Sequence, residues 1–387
     1  MQTTKKSIPL GLFPSITEQV FTEDTLFFDI ETTGFSAKKS DLYLIGVGYR
    51  RGDEAVIEQF LADDATEQVL LLERFAKLLE SHATLLTYNG AGFDLPYLKE
   101  KFHAYASELH TELMPFFQPA SADLFSSHTV RDLYKELTPL RGFLGLPNLK
   151  QKTVEAFLHL AREDTYSGGD LIPIYRHYAA THDDLPKGLL LLHNYEDVLG
   201  MLQLLPMLSY PAFLNGDYRV EDISVSPSKD TLQITLMPSD PFPARAESVC
   251  TPFSLVVGGN AATLSVQLLQ DELKYFFPDP ENYYYLPDED TAIHRSVGNY
   301  VDRKHRVPAK KSNCYIRKTD IFVPQTEELY SPAFRMSNKD MLSYFTLPET
   351  FEPGNQAFRR YINACLQVLV RNTRSLPIRH SQLLTLL

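Results

Sequence analysis

Apolar residues recur along this chain in short runs, and one of them, Leu26-Phe27-Phe28-Asp29-Ile30-Glu31, also carries charge. The run reads as a strand, apolar on both faces and therefore buried, yet it ends in two acids. Side chains alternate along a strand, so Asp29 and Glu31 point the same way. Two carboxylates side by side in a buried place repel each other and are costly to desolvate. A divalent cation between them removes both costs. The alternative is a strand that ends early and releases its acids into a loop.

The same pattern predicts the neighbouring elements. Residues 1–20 show no periodicity and read as an extended lead-in. Leu42–Tyr49 and Ala55–Leu61 alternate as strands, joined by the turn Arg51-Gly52-Asp53. Three strands with short connections make an antiparallel meander. Thr66 is placed to cap a helix whose apolar stripe is Val69, Leu70, Leu72, Phe75, Leu78 and Leu79. Thr84–Tyr88 is a fourth strand, leading through Asn89-Gly90-Ala91-Gly92-Phe93-Asp94 into a helix at Leu95-Pro96. From 131 to 205 the pattern is mainly helical: a segment opening at Asp132, another over 149–160, a turn at 167–170, and a last helix from about Asp184 to Leu205. A meander followed by alternating helix and strand predicts a mixed α/β sheet. Beyond Pro206 short β segments dominate (222–225, 232–236, 253–257), 259–274 reads as strand then helix, and a helix near 355–371 follows. The expected organisation is an extension over 1–21, an α/β domain over 22–208 and a smaller α+β domain, containing β segments, over 209–387.

At 387 residues the chain exceeds one ordinary domain. A 44% hydrophobic content supplies ample core. Nothing reads as a secretory signal or as an apolar run of the roughly 20 residues needed to span a bilayer, so no membrane partner is expected. Cys250, Cys314 and Cys365 are far apart and form no framework, which fits reduced thiols in a cytoplasmic protein. The net charge of −12 argues against a polyanion partner until its distribution is read. Residues 301–387 hold 14 Lys and Arg against 7 Asp and Glu, a balance of +7, so the first 300 carry −19. That asymmetry points to a polyanion.

Two further acids join the first pair. Asp94 stands where a strand passes through a glycine-containing loop into a helix, a place for either a functional group or an N-cap. Downstream, His193-Asn194-Tyr195-Glu196-Asp197 sets His193 and Asp197 four apart on one helix face. Tyr195 points elsewhere.

Asp-x-Glu on a first strand, Asn-x-x-x-Phe-Asp, then an acid preceded by a His resembles the DEDD 3′–5′ exonucleases of the ribonuclease H-like superfamily. Within it the chain is most similar to the uncharacterised bacterial YprB-type branch, through DIETTG (29–34), YNGAGFDLPYL (88–98), LKQKTVE (149–155), R-x-D-x-Y-S-G-G-D-L-I (162–172) and HNYED (193–197). The resemblance covers about 22–208 and implies a ribonuclease H-like mixed sheet flanked by helices. It implies that Asp29, Glu31, Asp94 and Asp197 hold two divalent ions, Mg²⁺ or Mn²⁺, as suits hard cations with oxygen ligands. One ion would activate a water and the other would stabilise the leaving 3′ oxygen. His193 would be the general base or orient that water. Thr32, Tyr88 and Asn89 would meet the terminal nucleotide or line its cleft, and Lys150 would touch a phosphate or stand solvated at a helix start. The family sets its histidine five residues before the last acid, or a tyrosine four before it; a histidine at four leaves the subtype open.

The substrate expected on this resemblance is the 3′ end of single-stranded DNA or RNA. Seven Lys or Arg between 303 and 318, with no acid among them, supply positive surface, and Tyr275, Phe276, Phe277, Tyr283–Tyr285 and Tyr315 lie nearby. These aromatics fit equally as core of the second domain. Two other readings stay open: a nucleic-acid-binding module with a vestigial centre, and a hydrolase of small nucleotides.

Overall fold

The structure, a computed structural model, describes residues 1–105 and 125–371. It divides into two compact units. The first runs to Arg141 and resumes over Leu146–Pro211; the second holds Gly142–Gly145 and the described residues from Ala212 onward.

The first unit is built on six strands: β1 (Gln2–Pro9), β2 (Thr25–Thr32), β3 (Leu42–Arg51), β4 (Glu54–Leu61), β5 (Thr84–Thr87) and β6 (Thr129–Asp132). They lie in the order β1-β4-β3-β2-β5-β6. β1, β4, β3 and β2 pair antiparallel, and β5 and β6 add on parallel. The meander and the change to parallel pairing are those the hydrophobic pattern predicts. The lead-in is different: Gln2–Pro9 is the edge strand of the sheet, paired with β4 along its whole length, and Ser15–Val20 is a short helix, α1. An edge strand buries little of either face, so its alternation is too weak to read. β6 was also unexpected, because four residues ending in a helix cap carry no period of their own.

Helices cover both faces. Those on one side are α2 (Gln68–Leu79) and α3 (Asp94–Ala104). Leu26, Phe28 and Ile30 of β2 pack there among Leu71, Leu72, Phe75, Leu98 and Phe102. The residues between them, Phe27, Asp29 and Glu31, face the other way, where Phe27 stacks on Phe21. The turn before α2 is capped by Asp64, which accepts from the Thr66 N–H, and not by Thr66. After α4 (Leu133–Leu137) come α5 (Gln151–Phe157), α6 (Gly168–Thr181) and α7 (Asp184–Leu204). The expected turn at 167–170 is instead the N-cap, Ser167, and first turn of α6, where Asp170 accepts from the N–H and hydroxyl of Ser167. The helical run Asp184–Leu214 has the length and apolar character of a membrane-crossing helix, contrary to the sequence reading, but 72% of its apolar window is buried in the fold.

In the second unit, β7 (Tyr218–Val225), β8 (Thr231–Pro238), β9 (Phe242–Cys250), β10 (Phe253–Gly259) and β11 (Ala261–Gln267) form a sheet in the order β7-β8-β11-β10-β9. The expected helix within 259–274 is instead a second strand, β12 (Leu269–Phe276). β13 (Tyr283–Leu286), β14 (Thr291–His294) and β15 (Val307–Pro308) make a small sheet. β12, β16 (Tyr315–Gln325), β17 (Phe334–Arg335) and β18 (Ser343–Thr346) close a small barrel. Gln356–Arg371 is a helix, as its period predicts. The three cysteines are buried and form no disulfide among the described residues.

The basic run does not form one uninterrupted positive face. Arg317 pairs with Glu272 and Asp290, Lys318 with Asp320, and His305 with Asp288. Arg306 lies over Tyr284, and Phe277 stacks on Tyr283. The aromatics therefore serve this unit's own packing. Arg374 and Arg379, counted in the charge balance, lie outside the described residues.

Candidate active site

Asp29 and Glu31 reach one face of β2 because the chain alternates, and both are pressed into the fold by strands and helices around them. Asp94 arrives from a different direction. β5 is four residues long and pairs with Thr25–Phe27 only, so it offers the Ile30 N–H no partner. The Asp94 carboxylate at the first turn of α3 accepts that N–H at 3.2 Å. The loop that delivers Asp94 is anchored by Asp132 at the end of β6. Asp132 accepts from Asn89 N–H at 2.8 Å and Ala91 N–H at 3.2 Å, and caps α4 through the Tyr134 N–H. Asn89 takes a left-handed φ of 63° at the turn.

α7 crosses β3 and β4 closely enough to bring its middle turns to β2. Asn194, fully buried, donates to Asp29 Oδ2 at 3.0 Å and accepts from Gln59 Nε2 at 2.9 Å. Glycine at 46 makes this approach possible: a Cβ there would lie 2.0 Å from Asn194 Oδ1. One residue earlier, His193 is buried, with Nε2 3.3 Å from Glu31 Oε1 and 3.2 Å from Asp197 Oδ2. Glu31, His193 and Asp197 each offer a ligand atom within 4.8 Å of the others, close enough together that one ion could be held among them.

A second layer lies behind α7. Arg162 Nη2 meets Asp197 Oδ1 at 2.7 Å, its Nη1 meets Glu155 at 3.0 Å, and its Nε lies 3.4 Å from Glu196. Asp164 Oδ2 sits 2.7 Å from His193 Nδ1.

The charges follow from this packing. Burial, with the charges of Asp197, Glu31 and Asp94 added, holds the Asp29 carboxyl well above the usual range. Glu31 is pushed up to about 8 by burial and by Asp197 and Asp94, with His193 opposing. Asp94 is pushed up to about 7 by burial, offset by the Ile30 N–H. Burial acts the same way on Asp197, but His193 and Arg162 outweigh it and hold this carboxyl below its ordinary value. On His193 burial disfavours the cation, yet the Asp197 hydrogen bond and the charges of Glu31, Asp197 and Asp164 raise it to about 9.

Of the residues singled out from the sequence, Glu31, His193 and Asp197 therefore meet in one group, and Asp29 and Asp94 stand near enough for their charges to act with it. Thr32, Tyr88, Asn89 and Lys150 make no hydrogen bond or ion pair with these five among the described residues. The Thr32 hydroxyl donates to Gly34 O, the Tyr88 hydroxyl to Leu149 O, and the Asn89 N–H to Asp132. Lys150 is exposed at the N-cap of α5. Tyr195 points away from the acids, with Lys6 of β1 4.0 Å over its ring. Arg162, Asp164 and Asn194 are the residues that local reasoning passes over, although all three stand inside the motifs given above. Asp132, which the sequence offers as a support or a helix cap outside the site, holds the loop that carries Asp94.

Residues 26–209 match the family model described as the RNase_H superfamily. The fold of this stretch is ribonuclease H-like. The uncharacterised protein YprB of Bacillus subtilis (strain 168) is 30% identical over 198 residues, which is 50% of this chain and 44% of that protein. The chain thus spans less than half the length of this relative. Among solved structures, the family B DNA polymerase of Pyrobaculum calidifontis is similar at 16% identity, over 68% of this chain and 38% of the polymerase, with a TM-score of 0.34. Escherichia coli exonuclease I in complex with a dT13 oligonucleotide is similar at 14% identity, over 55% of this chain and 54% of the exonuclease, with a TM-score of 0.29.

Proposed function

We propose that this ribonuclease H-like domain is a metal-dependent 3′–5′ exonuclease that hydrolyses phosphodiester bonds at single-stranded nucleic-acid ends. The observation that supports it is the convergence of Asp29, Glu31, Asp94 and Asp197 on one buried spot beside His193. Three of these carboxyls are held above their ordinary range by burial and repulsion. Such a set is relieved by cations, and its all-oxygen donors suit Mg²⁺ or Mn²⁺. The four acids would hold two such ions, which supply an activated water and a charge sink for the departing 3′ oxygen.

The chain's own residues do the rest. Asn194 and the Ile30 N–H fix the carboxylates of Asp29 and Asp94. His193 Nε2 faces the acids, whose charges keep the ring protonated up to about pH 9. With cations bound among the acids that value would fall, freeing Nε2 to take up a proton from the attacking water. Arg162 and Glu196 hold Asp197 and the segment beside it in place.

The test uses a 5′-labelled oligonucleotide, as DNA and as RNA, with the full chain and Mn²⁺. Stepwise shortening from the 3′ end is expected, and its loss in Asp29→Ala and Asp94→Ala with folding retained. Full activity in both variants sinks the proposal, as does binding without cleavage across several divalent metals.

A further inference from the structure

The two ring nitrogens of His193 have different surroundings. Nε2 lies in the acid cluster, near Glu31 and Asp197. Nδ1 faces away from it, 2.7 Å from Oδ2 of Asp164, an acid whose side chain is 1% exposed. We propose that Asp164 is the positioning residue of His193: it accepts the Nδ1 proton, fixes the ring and leaves Nε2 as the nitrogen presented to the acids. What Nε2 then does rests on the exonuclease reading above; the link itself does not.

An ionised carboxylate can only accept a hydrogen bond, so a ring nitrogen 2.7 Å from it carries the proton. In the neutral ring the other nitrogen then keeps its lone pair. A ring with both sides in solvent would exchange tautomers and rotate. Asp164 prevents both because it is itself immobile. Lys152 Nζ from α5 donates to the same Oδ2 at 2.8 Å, and the Tyr166 N–H donates to Oδ1 at 3.0 Å. The Asp164 N–H donates to Glu196 Oε2 at 3.0 Å, and the Glu163 N–H to Oε1 at 2.9 Å. Two residues earlier, Arg162 bonds Glu155 and Asp197. The segment 162–166 is therefore clamped to α5 and α7 from both ends. A histidine at a four-residue spacing from Asp197 is held by this segment as well as by its own helix.

The test has two arms. In the first, ¹⁵N-histidine spectra of the full chain are recorded without nucleic acid and above about pH 9, where the ring is neutral, with His193 assigned by the signals lost in His193→Asn. A hydrogen-bonded Nδ1 proton is expected in the wild type and its loss in Asp164→Ala; retention of that proton in Asp164→Ala overturns the proposal. In the second, Asp164→Ala lowers kcat by about 10–100-fold, the range for removing a partner that orients a reactive imidazole. KM for the oligonucleotide stays within about twofold, and in a His193→Ala background the same substitution changes kcat by less than about twofold. A full further loss in that background shows a general structural role and overturns it. Should Asp164→Ala fail to fold, Asp164→Val, which fills the space but accepts no hydrogen bond, is held to the same criteria. A wild type that shows the Nδ1 proton yet cleaves nothing overturns the exonuclease reading and keeps the Asp164–His193 link.

Discussion

Gly46 and Asn194 stand so close that a Cβ on the first would lie 2.0 Å from the Oδ1 of the second. Asn194 in turn holds Asp29 Oδ2 at 3.0 Å. The glycine on β3 thus sets how near α7 comes to β2, and through it where an acid of the site points. Gly46→Ala is expected to cost about 1–3 kcal/mol in chemical denaturation, the usual penalty for overpacking. It is also expected to weaken stabilisation by Mn²⁺. An unchanged midpoint and an unchanged ion response would show that α7 yields without disturbing Asp29.

The acid cluster makes the ion-free protein sensitive to pH in the direction opposite to most carboxylates. Glu31 and Asp94 are raised to about 8 and about 7, and His193 to about 9. A group whose folded value exceeds its unfolded value binds more protons when folded, so its contribution is present below the unfolded value and lost as pH rises through the folded one. Melting temperature without divalent ions should therefore fall between about pH 6 and about pH 9. Adding Mg²⁺ or Mn²⁺ should raise it, more so at the upper end, because an ion takes the place of the protons. A melting temperature that rises over this interval would contradict the assignment.

Arg162 sits among Glu155, Glu196 and Asp197 with its side chain 11% exposed. Removing it leaves Glu155, 3% exposed, without its cation. Arg162→Ala should lose about 3–5 kcal/mol, the cost of stranding a buried charge. Equilibrium urea unfolding at neutral pH measures this, and a loss below about 1 kcal/mol would place the pair with weak surface bridges.

Asp132 accepts three backbone N–H groups, from Asn89, Ala91 and Tyr134. Asp132→Ala is expected to destabilise by about 1–3 kcal/mol through the donors left unsatisfied. Because the freed loop carries Asp94, ion-dependent cleavage should fall further than Tm alone explains. Activity tracking stability alone would assign Asp132 a purely structural role.

Asp29 and Glu31 were legible in the sequence because a period of two fixes side-chain direction without reference to anything distant. The same period drew the meander of β2, β3 and β4, and the helical period, equally local, paired His193 with Asp197 across one turn. It failed at β1, whose weak pattern becomes a strand only when β4 lies beside it, and at β12, where a helix was expected. Tertiary structure alone decided what surrounds the four acids. That the Ile30 N–H awaits Asp94, that Gly46 admits Asn194 to Asp29, and that Asp164 and Arg162 stand behind His193 and Asp197 all depend on residues 29 to 165 positions apart meeting in space. No period encodes such meetings, since hydrogen bonds and ion pairs answer to distance and burial, which exist only once the chain has folded.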